Sequence, residues 1–359
     1  MEKTLNINLH RAKKVKNDEF YTLYSDIEKE IKHYKEHLED KIVLFNCNDY
    51  EDNNFWKYFY CNFKELKLKK IVSIRFMKNT SSYMLEFDGK ETKRTELLED
   101  GDFRNSESIE ILKKSDVVIT NPPFSLFKEY INQLVEYDKK FLIIGNFNSI
   151  LYKNVFELIK NNKVWLGVGT RSMNFLQQDG RKKNVNACWL TNLKHEKRER
   201  ELVLTKKFYD DETAYKKYDN YEIIEVSKVG DIPIDYNKPM GVPINFLENY
   251  NPEQFEIIGC SYAFGEPVGY HKEGKRFRVS IEGKEIYKRF FIQKKNPTKF
   301  YLIIPALNYE GSDFIRSFDA KKEVEEFIEK DIETRKKCPI YWKTEKDDYE
   351  VIEGKLVKL

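Results

Sequence analysis

Glycine is scarce in this chain, with 15 among 359 residues, about 4% against a usual share of about 7%. Gly-rich phosphate cradles, collagen-like repeats and flexible linkers are therefore not expected. Cysteine is limited to five residues (Cys47, Cys61, Cys188, Cys260, Cys338), scattered and never in a CxxC pair. That pattern argues against a disulfide framework or a structural zinc site, and for free thiols in a reducing cytoplasm. No apolar run approaches the roughly 20 residues of a membrane span. The first residues, MEKTLNINLHRAKKVK, lack the apolar segment of a signal peptide. Nor is there an excess of one charge: 63 basic against 60 acidic residues leave a net of +3, which excludes a uniformly cationic, histone-like protein. What is plentiful is aromatic. The 25 Phe, 23 Tyr and 4 Trp make 14% of the chain, far too much for a disordered one. The length suits two domains of roughly 100–200 residues each.

Residues 1–17 form a polar arm with five Lys/Arg and one Glu. Helical spacing then follows in Ile27, Ile31, Tyr34 and Leu38, which predicts a helix over Ser25–Leu38 with Ser25 and Glu28 as a capping box. Beyond it, short apolar runs alternate with helical patterns. Strands are expected at Lys41–Phe45, Ile71–Ile74, Asp116–Thr120, Phe141–Ile144 and Val164–Val168. Helices are expected at Asn53–Leu66, Ser108–Lys114, Phe127–Tyr137 and Lys153–Asn161, with an irregular hairpin over Ser81–Glu99. Near-continuous apolar strands between helices predict a mostly parallel α/β sheet covered on both faces. In such sheets the ligand lies beyond the carboxyl ends of the strands. After about residue 195 the rhythm changes, and Pro233, Pro239, Pro243 and Pro252 break the chain into short pieces. Strand-like runs return at Phe255–Ile258, Phe277–Ile281, Glu285–Gln293 and Phe300–Pro305, and a charged helix is expected over Lys321–Lys337. The expected division is an arm (1–17), a catalytic domain (18–195) and an α+β recognition region (196–359).

The strand Asp116–Thr120 runs directly into Asn121-Pro-Pro-Phe124. Two prolines remove two backbone donors and fix the dihedral angles, giving a rigid loop that presents carbonyls. Asn121 adds a side-chain acceptor, and an aromatic ring follows. This suits transfer of a group to an exocyclic amine such as that of adenine, whose lone pair is delocalised into the ring. Two acceptors, the Asn121 side chain and the Pro122 carbonyl, can hold both amine hydrogens and favour a tetrahedral nitrogen. Phe124 can stack on the flat base. Standing against this is a plain Pro-Pro turn closing a strand.

Asn121-Pro-Pro-Phe124 resembles the catalytic motif of N6-adenine methyltransferases that use S-adenosylmethionine. Asp18-Glu-Phe-Tyr-Thr22 is similar to the family's N-terminal cofactor motif, and Gly101-Asp-Phe-Arg104 to the motif whose Asp and Phe hold the cofactor adenine. The strings Gly101–Ser108, Leu112–Asp116, Asn121–Phe127, Tyr137–Ile144, Trp189–Asn192, Lys217–Tyr221 and Tyr250–Phe255 resemble the EcoRI-type adenine methyltransferases in particular. The resemblance runs from about residue 10 to about 258. It implies a Rossmann-like S-adenosylmethionine-binding sheet followed by a target-recognition region. It also implies site-specific methylation of a flipped-out adenine in duplex DNA, without a metal, in a restriction-modification setting. The cofactor-binding residues it implies are Phe20, Tyr21, Thr22, Asn46, Asp49, Asp102, Phe103 and Asn121. Catalysis falls to Asn121, Pro122, Pro123 and Phe124. By its place after the strand Val164–Val168, Phe175 or Arg171 is a candidate for the wall of the target-base pocket opposite Phe124, with a core position the stronger alternative for Phe175. In this chain the usual Gly-rich loop after the first strand reads Asn46-Cys-Asn-Asp49, and Arg75 stands where an acidic ribose partner is expected.

Between His271 and Phe300 there are ten basic residues against three acidic ones, a local net of +7. Interleaved aromatics make this stretch a candidate phosphate-tracking surface, through Lys272, Lys275, Arg276, Arg278, Lys284, Lys288 and Arg289. The five histidines show no metal-ligand spacing. A cognate endonuclease acting on the same site without a stable complex, and a monomer or weak dimer, complete the expectation. Two other functions stay open on the residues alone. One is a methyltransferase for RNA adenine or a protein amide; the other is a nonenzymatic nucleic-acid-binding protein on the same scaffold.

Overall fold

The computed structural model describes residues 21–46, 54–77, 80–169, 171–176, 181–208, 211–219, 221–234, 236, 238–261 and 279–295, and the backbone of five further strands between 300 and 358. The chain divides into two compact units, Met1–Arg198 and Glu199–Leu359.

The first unit contains β1 (Tyr21–Thr22), α1 (Tyr24–Ile31), β2 (Ile42–Phe45), α2 (Asn54–Cys61), β3 (Lys70–Ile74), β4 (Tyr83–Phe87), β5 (Thr92–Glu96) and α3 (Ser106–Lys114). Then come β6 (Val117–Thr120), α4 (Phe127–Glu136), β7 (Lys140–Asn146), α5 (Lys153–Lys160), β8 (Trp165–Leu166), β9 (Met173–Leu176), β10 (Lys182–Val185) and β11 (Ala187–Thr191). Eight strands form one mixed sheet in the order β5-β4-β3-β2-β6-β7-β11-β8. Its centre, β3-β2-β6-β7, is parallel, but the four flanking pairs are antiparallel, so the sheet is mixed and not mostly parallel as the strand–helix alternation predicts. Val43, Phe45, Val117, Ile119, Leu142 and Ile144 point to one face, where they pack with Ile27 and Ile31 of α1 and Phe55 and Phe59 of α2. On the other face Phe127 of α4 lies against Gly145 of β7. Both faces are covered, which is why these strands read as continuous apolar runs instead of alternating ones.

Three expectations change here. The helix predicted over Ser25–Leu38 stops at Ile31 and continues as a 3-10 turn, Lys35–His37. Its four apolar markers are nonetheless all fully buried. It begins at Tyr24 after Leu23, without a side-chain cap, so the Ser25–Glu28 capping box does not form. The hairpin over Ser81–Glu99 is regular: β4 and β5 pair in unbroken register from Tyr83–Glu96 to Phe87–Thr92 and extend the main sheet. A separate three-stranded sheet, β1-β9-β10, has no counterpart in the sequence pattern.

The second unit, taken by itself, is strand-rich. It holds β12 (Ile224–Glu225), β13 (Met240–Pro243), β14 (Phe255–Cys260), β15 (Ser280–Ile281), β16 (Lys284–Glu285), β17 (Arg289–Lys294), β18 (Phe300–Ile304), β19 (Phe314–Phe318), β20 (Tyr341–Lys343), β21 (Asp348–Ile352) and β22 (Lys355–Lys358). They form sheets β12-β13-β17-β14 and β19-β18-β20-β21-β22 and a hairpin β15-β16. The single strand expected over Glu285–Gln293 is broken, because Lys288 sits in the left-handed region at φ 56°. Pro243 ends β13 instead of excluding a strand there, since a terminal position needs no further ladder donor. The basic arm and the charged helix over Lys321–Lys337 lie outside the described residues. Among the described residues no helix is long and apolar enough to cross a membrane.

Candidate active site

The central sheet reverses its winding between β2 and β6: the chain passes from β2 to β3 on one side and returns with β6 on the other. The crevice at such a switch point opens at the carboxyl ends of the two strands. Asn46 follows β2 there and Asn121 follows β6. Both are buried, Asn121 at 8% exposure. The Tyr130 hydroxyl, from α4, donates to Asn46 Oδ1. The Tyr130 ring also meets the Phe103 ring edge-on at 5.0 Å, and Gln133 Nε2 donates to the Phe103 carbonyl at 2.9 Å. One helix face thus anchors both the residue after β2 and the Gly101–Arg104 segment. Sequence reading misses Tyr130 and Gln133, because a helix face carrying Phe127, Tyr130, Ile131 and Leu134 reads as plain core.

Gly101 adopts φ +79°, and an added Cβ would overlap the Arg75 carbonyl oxygen at the end of β3. The segment therefore lies directly against the third strand of the crevice. Asp100 braces it, its Oδ1 accepting from Asp102 N at 3.1 Å and from Asn105 Nδ2 at 2.7 Å. The Asp102 carboxylate takes Arg104 N at 2.9 Å and Nε at 2.8 Å on Oδ1, and Nη2 at 2.7 Å on Oδ2. Hydrogen bonds from the Arg104 side chain hold this carboxyl below the usual range, against the opposing effect of burial. With Oδ1 doubly occupied, Oδ2 still has a lone pair for an N–H donor. Arg75 donates to the Tyr83 hydroxyl at 3.0 Å, so β3 ends in a hairpin held by a cation and has no acidic residue at that point.

The motif Asn121–Phe124 leaves β6 as an extended loop and enters a 3-10 turn, Phe124–Leu126, before α4. Phe124 meets Phe175 of β9 edge-on at 6.4 Å. Phe175 itself is 0% exposed and part of the core, so its place is behind Phe124, as a brace, and not as an open wall. Arg171 lies with its guanidinium 4.9 Å from the Phe147 ring centre. β9 also pairs with the N-terminal motif, Thr22 opposite Phe175 and Tyr21 opposite Leu176. Thr22 Oγ1 is buried with no hydrogen-bond partner among the described residues. Glu30, buried in α1, ties the same region together. Its carboxylate accepts from Tyr34 Oη at 2.9 Å, Val168 N at 2.8 Å and Gly169 N at 2.7 Å. Burial pushes its pKa up despite these bonds.

Among the remaining candidates, Phe20, Asp49, Lys272, Lys275, Arg276 and Arg278 lie outside the described residues. Lys284 and Lys288 are exposed. Arg289 is a correction. Its guanidinium binds Glu225 at 2.8 Å with side-chain exposures of 19% and 7%, and Nη1 donates to the Tyr287 carbonyl at 3.1 Å. Tyr218 donates to the second Glu225 oxygen. Its charge is committed inside the second unit instead of being presented to a phosphate. Arg289→Met is expected to leave Glu225 buried and uncompensated, costing about 3–5 kcal/mol of stability. Urea denaturation without DNA checks this; unchanged stability with weakened DNA binding would return Arg289 to the surface role. Among the described residues no group of three His, Cys, Asp or Glu could hold a metal ion.

A buried hydroxyl without a partner at Thr22 and an open acceptor position on Asp102, near the aromatic Phe103, fit a polar ligand that carries an amine and a flat base. The family described as "Adenine-specific methyltransferase EcoRI" matches residues 8–343, well past the point near 258 where motif resemblance ends. Type II methyltransferase M.EcoRI of Escherichia coli is 44% identical over 327 residues, covering 81% of this chain and 97% of the relative. Type II methyltransferase M.MpnI of Mycoplasma pneumoniae is 41% identical over 311 residues, covering 80% and 98%. M.MgeORF184P of Mycoplasma genitalium is 35% identical over 314 residues, covering 80% and 99%. No solved structure matches. With a family match across nearly its whole length and relatives aligned end to end, the chain belongs to the EcoRI-type adenine-specific methyltransferase family.

Proposed function

We propose that this site-specific adenine-N6 DNA methyltransferase of the restriction-modification type extracts its target base from the duplex and methylates it at the Asn121–Phe124 loop. The observation that carries the reading is the position of Asn121, buried at the carboxyl edge of β6 beside β2 and followed by two prolines. S-adenosylmethionine would supply a methyl group already activated on a sulfonium: transfer forms the bond from the amine nitrogen to the methyl carbon, breaks the carbon–sulfur bond with S-adenosylhomocysteine as leaving group, and releases one amine proton to water. The residues that would hold this donor are Tyr21, Thr22, Asn46, Asp102 and Phe103. Asp102 Oδ2 would accept from its adenine amine, Phe103 would pack against that ring, and Thr22 Oγ1 and Asn46 would serve its polar groups.

Asn121 Oδ1 and the Pro122 carbonyl accept the two hydrogens of the target amine and turn its lone pair out of the ring plane. Pro123 keeps the loop stiff, so little reorganisation is needed when the base arrives. Phe124 stacks on the base, an interaction worth about 1–3 kcal/mol, which offsets a good part of the few kcal/mol spent on unstacking. The fully buried Phe175 keeps the Phe124 ring from yielding. Most of the acceleration is positioning. Double-stranded DNA is the partner, in the cytoplasm, with a cognate endonuclease that shares the site without forming a stable complex.

Incubation with labelled S-adenosylmethionine and mixed-sequence plasmid DNA is expected to place label in N6-methyladenine at one sequence. Label in RNA or protein instead, with none in DNA, would overturn the reading.

A further inference from the structure

Several basic side chains of the second unit serve its own fold. Arg289 is paired with Glu225, Lys216 with Glu282 and Lys217 with Glu222, and Lys294 is buried against the Ile234 carbonyl. In the first unit, positive charge gathers on the hairpin β9–β10. Residues 171–186 contain four basic residues (Arg171, Arg181, Lys182, Lys183) and one acidic (Asp179), in a chain whose overall charges nearly balance. Arg181, Lys182 and Lys183 are exposed, and among the described residues β10 is the edge of its sheet.

Register places this edge beside the active site. Lys183 lies opposite Phe175, and Phe175 lies opposite Thr22. One row across the sheet therefore runs from the cofactor motif, through the residue that braces Phe124, to Lys183. Lys182 continues the next row, opposite Leu176, which is paired with Tyr21. The hairpin is also held firmly: Ser172 Oγ donates to Asn184 Oδ1 at 2.7 Å, and Asn184 Nδ2 donates to Asn174 Oδ1 at 3.0 Å. A base seated against Phe124 keeps its sugar and both flanking phosphates at the mouth of the pocket, because they are covalently attached to it. Two anions at the mouth meet two cations on the adjoining edge.

We propose that Lys182 and Lys183 are a phosphate clamp for the DNA backbone on either side of the extruded adenosine. The inference rests on the base-extrusion reading above. Edge strands also carry lysine merely to discourage pairing with other strands, and a merely protective role leaves DNA binding untouched.

The test is a salt titration of cognate-duplex affinity for the wild type and K182Q/K183Q. Loss of two phosphate contacts at about 0.9 each makes the slope of log K against log salt shallower by about 1.8. K182R/K183R restores the slope, and S-adenosylmethionine affinity stays unchanged in all three proteins, which controls for folding. Neutral methylphosphonate linkages on both sides of the target adenine are expected to weaken the wild type and to leave K182Q/K183Q almost unaffected. An unchanged slope, or methylphosphonate losses that add to those of the variant, would overturn the clamp. A duplex with 2-aminopurine at the target position separates the two ideas. Fluorescence gain in the wild type with an unchanged slope sinks the clamp alone, and no gain in the wild type sinks extrusion and clamp together.

Discussion

Asn121→Ala abolishes measurable methyl transfer while cofactor and DNA binding stay within a few-fold of the wild type. The reason is the electronic state of an aromatic amine. Its lone pair is conjugated with the ring, and only a second acceptor, acting with the Pro122 carbonyl, draws both hydrogens out of plane. With alanine in place of Asn121 a single acceptor remains, the nitrogen stays flat, and its lone pair no longer aims at the methyl group. Loss of one positioned group that acts on the reacting atoms costs at least about 10²-fold. Binding is spared because Phe124 and the groups at Asp102 and Thr22 are untouched. Single-turnover transfer of labelled methyl, measured beside 2-aminopurine fluorescence and cofactor titration, separates the chemical step from the binding steps. Full activity would remove Asn121 from the mechanism.

What can be read in the sequence follows from how local each signal is. The central strands β2, β6 and β7 are apolar on both faces and announce themselves as runs. The Asn121–Phe124 loop is legible because two prolines at a strand end admit few conformations. The hairpin β9–β10 is not legible. In β9, Met173-Asn-Phe-Leu176, buried Met173 and Phe175 flank an exposed Asn174, while β10, Lys182-Lys-Asn-Val185, is exposed except for half-buried Val185, and both are too short to stand out. Arg289 misleads for a related reason. Local charge density is visible in the sequence, but its partner Glu225 lies 64 residues upstream and meets it only through the pairing of β12 with β13 and of β13 with β17. Tyr130 is hidden in the opposite way: the spacing that makes it core also makes it look inert, and its hydroxyl matters only because Asn46 ends β2 within reach. Glu30 gives no signal beyond being one charge in a charged helix, although its carboxylate gathers three donors, one from the turn after α1 and two from the loop after β8.

Gly101→Ala is expected to damage stability and cofactor affinity together, and a second glycine shows why. Gly101 and Gly283 have nearly the same backbone, φ +79° and +72°. Placing a Cβ in that left-handed region costs about 1–2 kcal/mol at either position. Around Gly283 nothing lies within 4 Å of the added carbon, whereas at Gly101 it overlaps the Arg75 carbonyl oxygen. That carbonyl cannot swing aside, because it accepts the Ser82 hydroxyl while Arg75 N donates to the Tyr83 carbonyl at 3.2 Å. Ser82 is in turn fixed by its bonds to Glu99 and Leu97, at 2.9 and 2.8 Å. The strain must therefore move the Gly101–Arg104 segment off the end of β3, adding about 1–3 kcal/mol of overpacking. Asp102 and Phe103 move with it, so S-adenosylmethionine affinity falls at least about tenfold, or about 1.4 kcal/mol. Gly283→Ala isolates the backbone cost: it lowers the stability of the protein by about 1–2 kcal/mol and leaves cofactor affinity as it was. Calorimetric titration with S-adenosylmethionine and urea denaturation of both variants check the comparison. Equal cofactor affinity in the two would mean that the contact of Gly101 with Arg75 does not position Asp102.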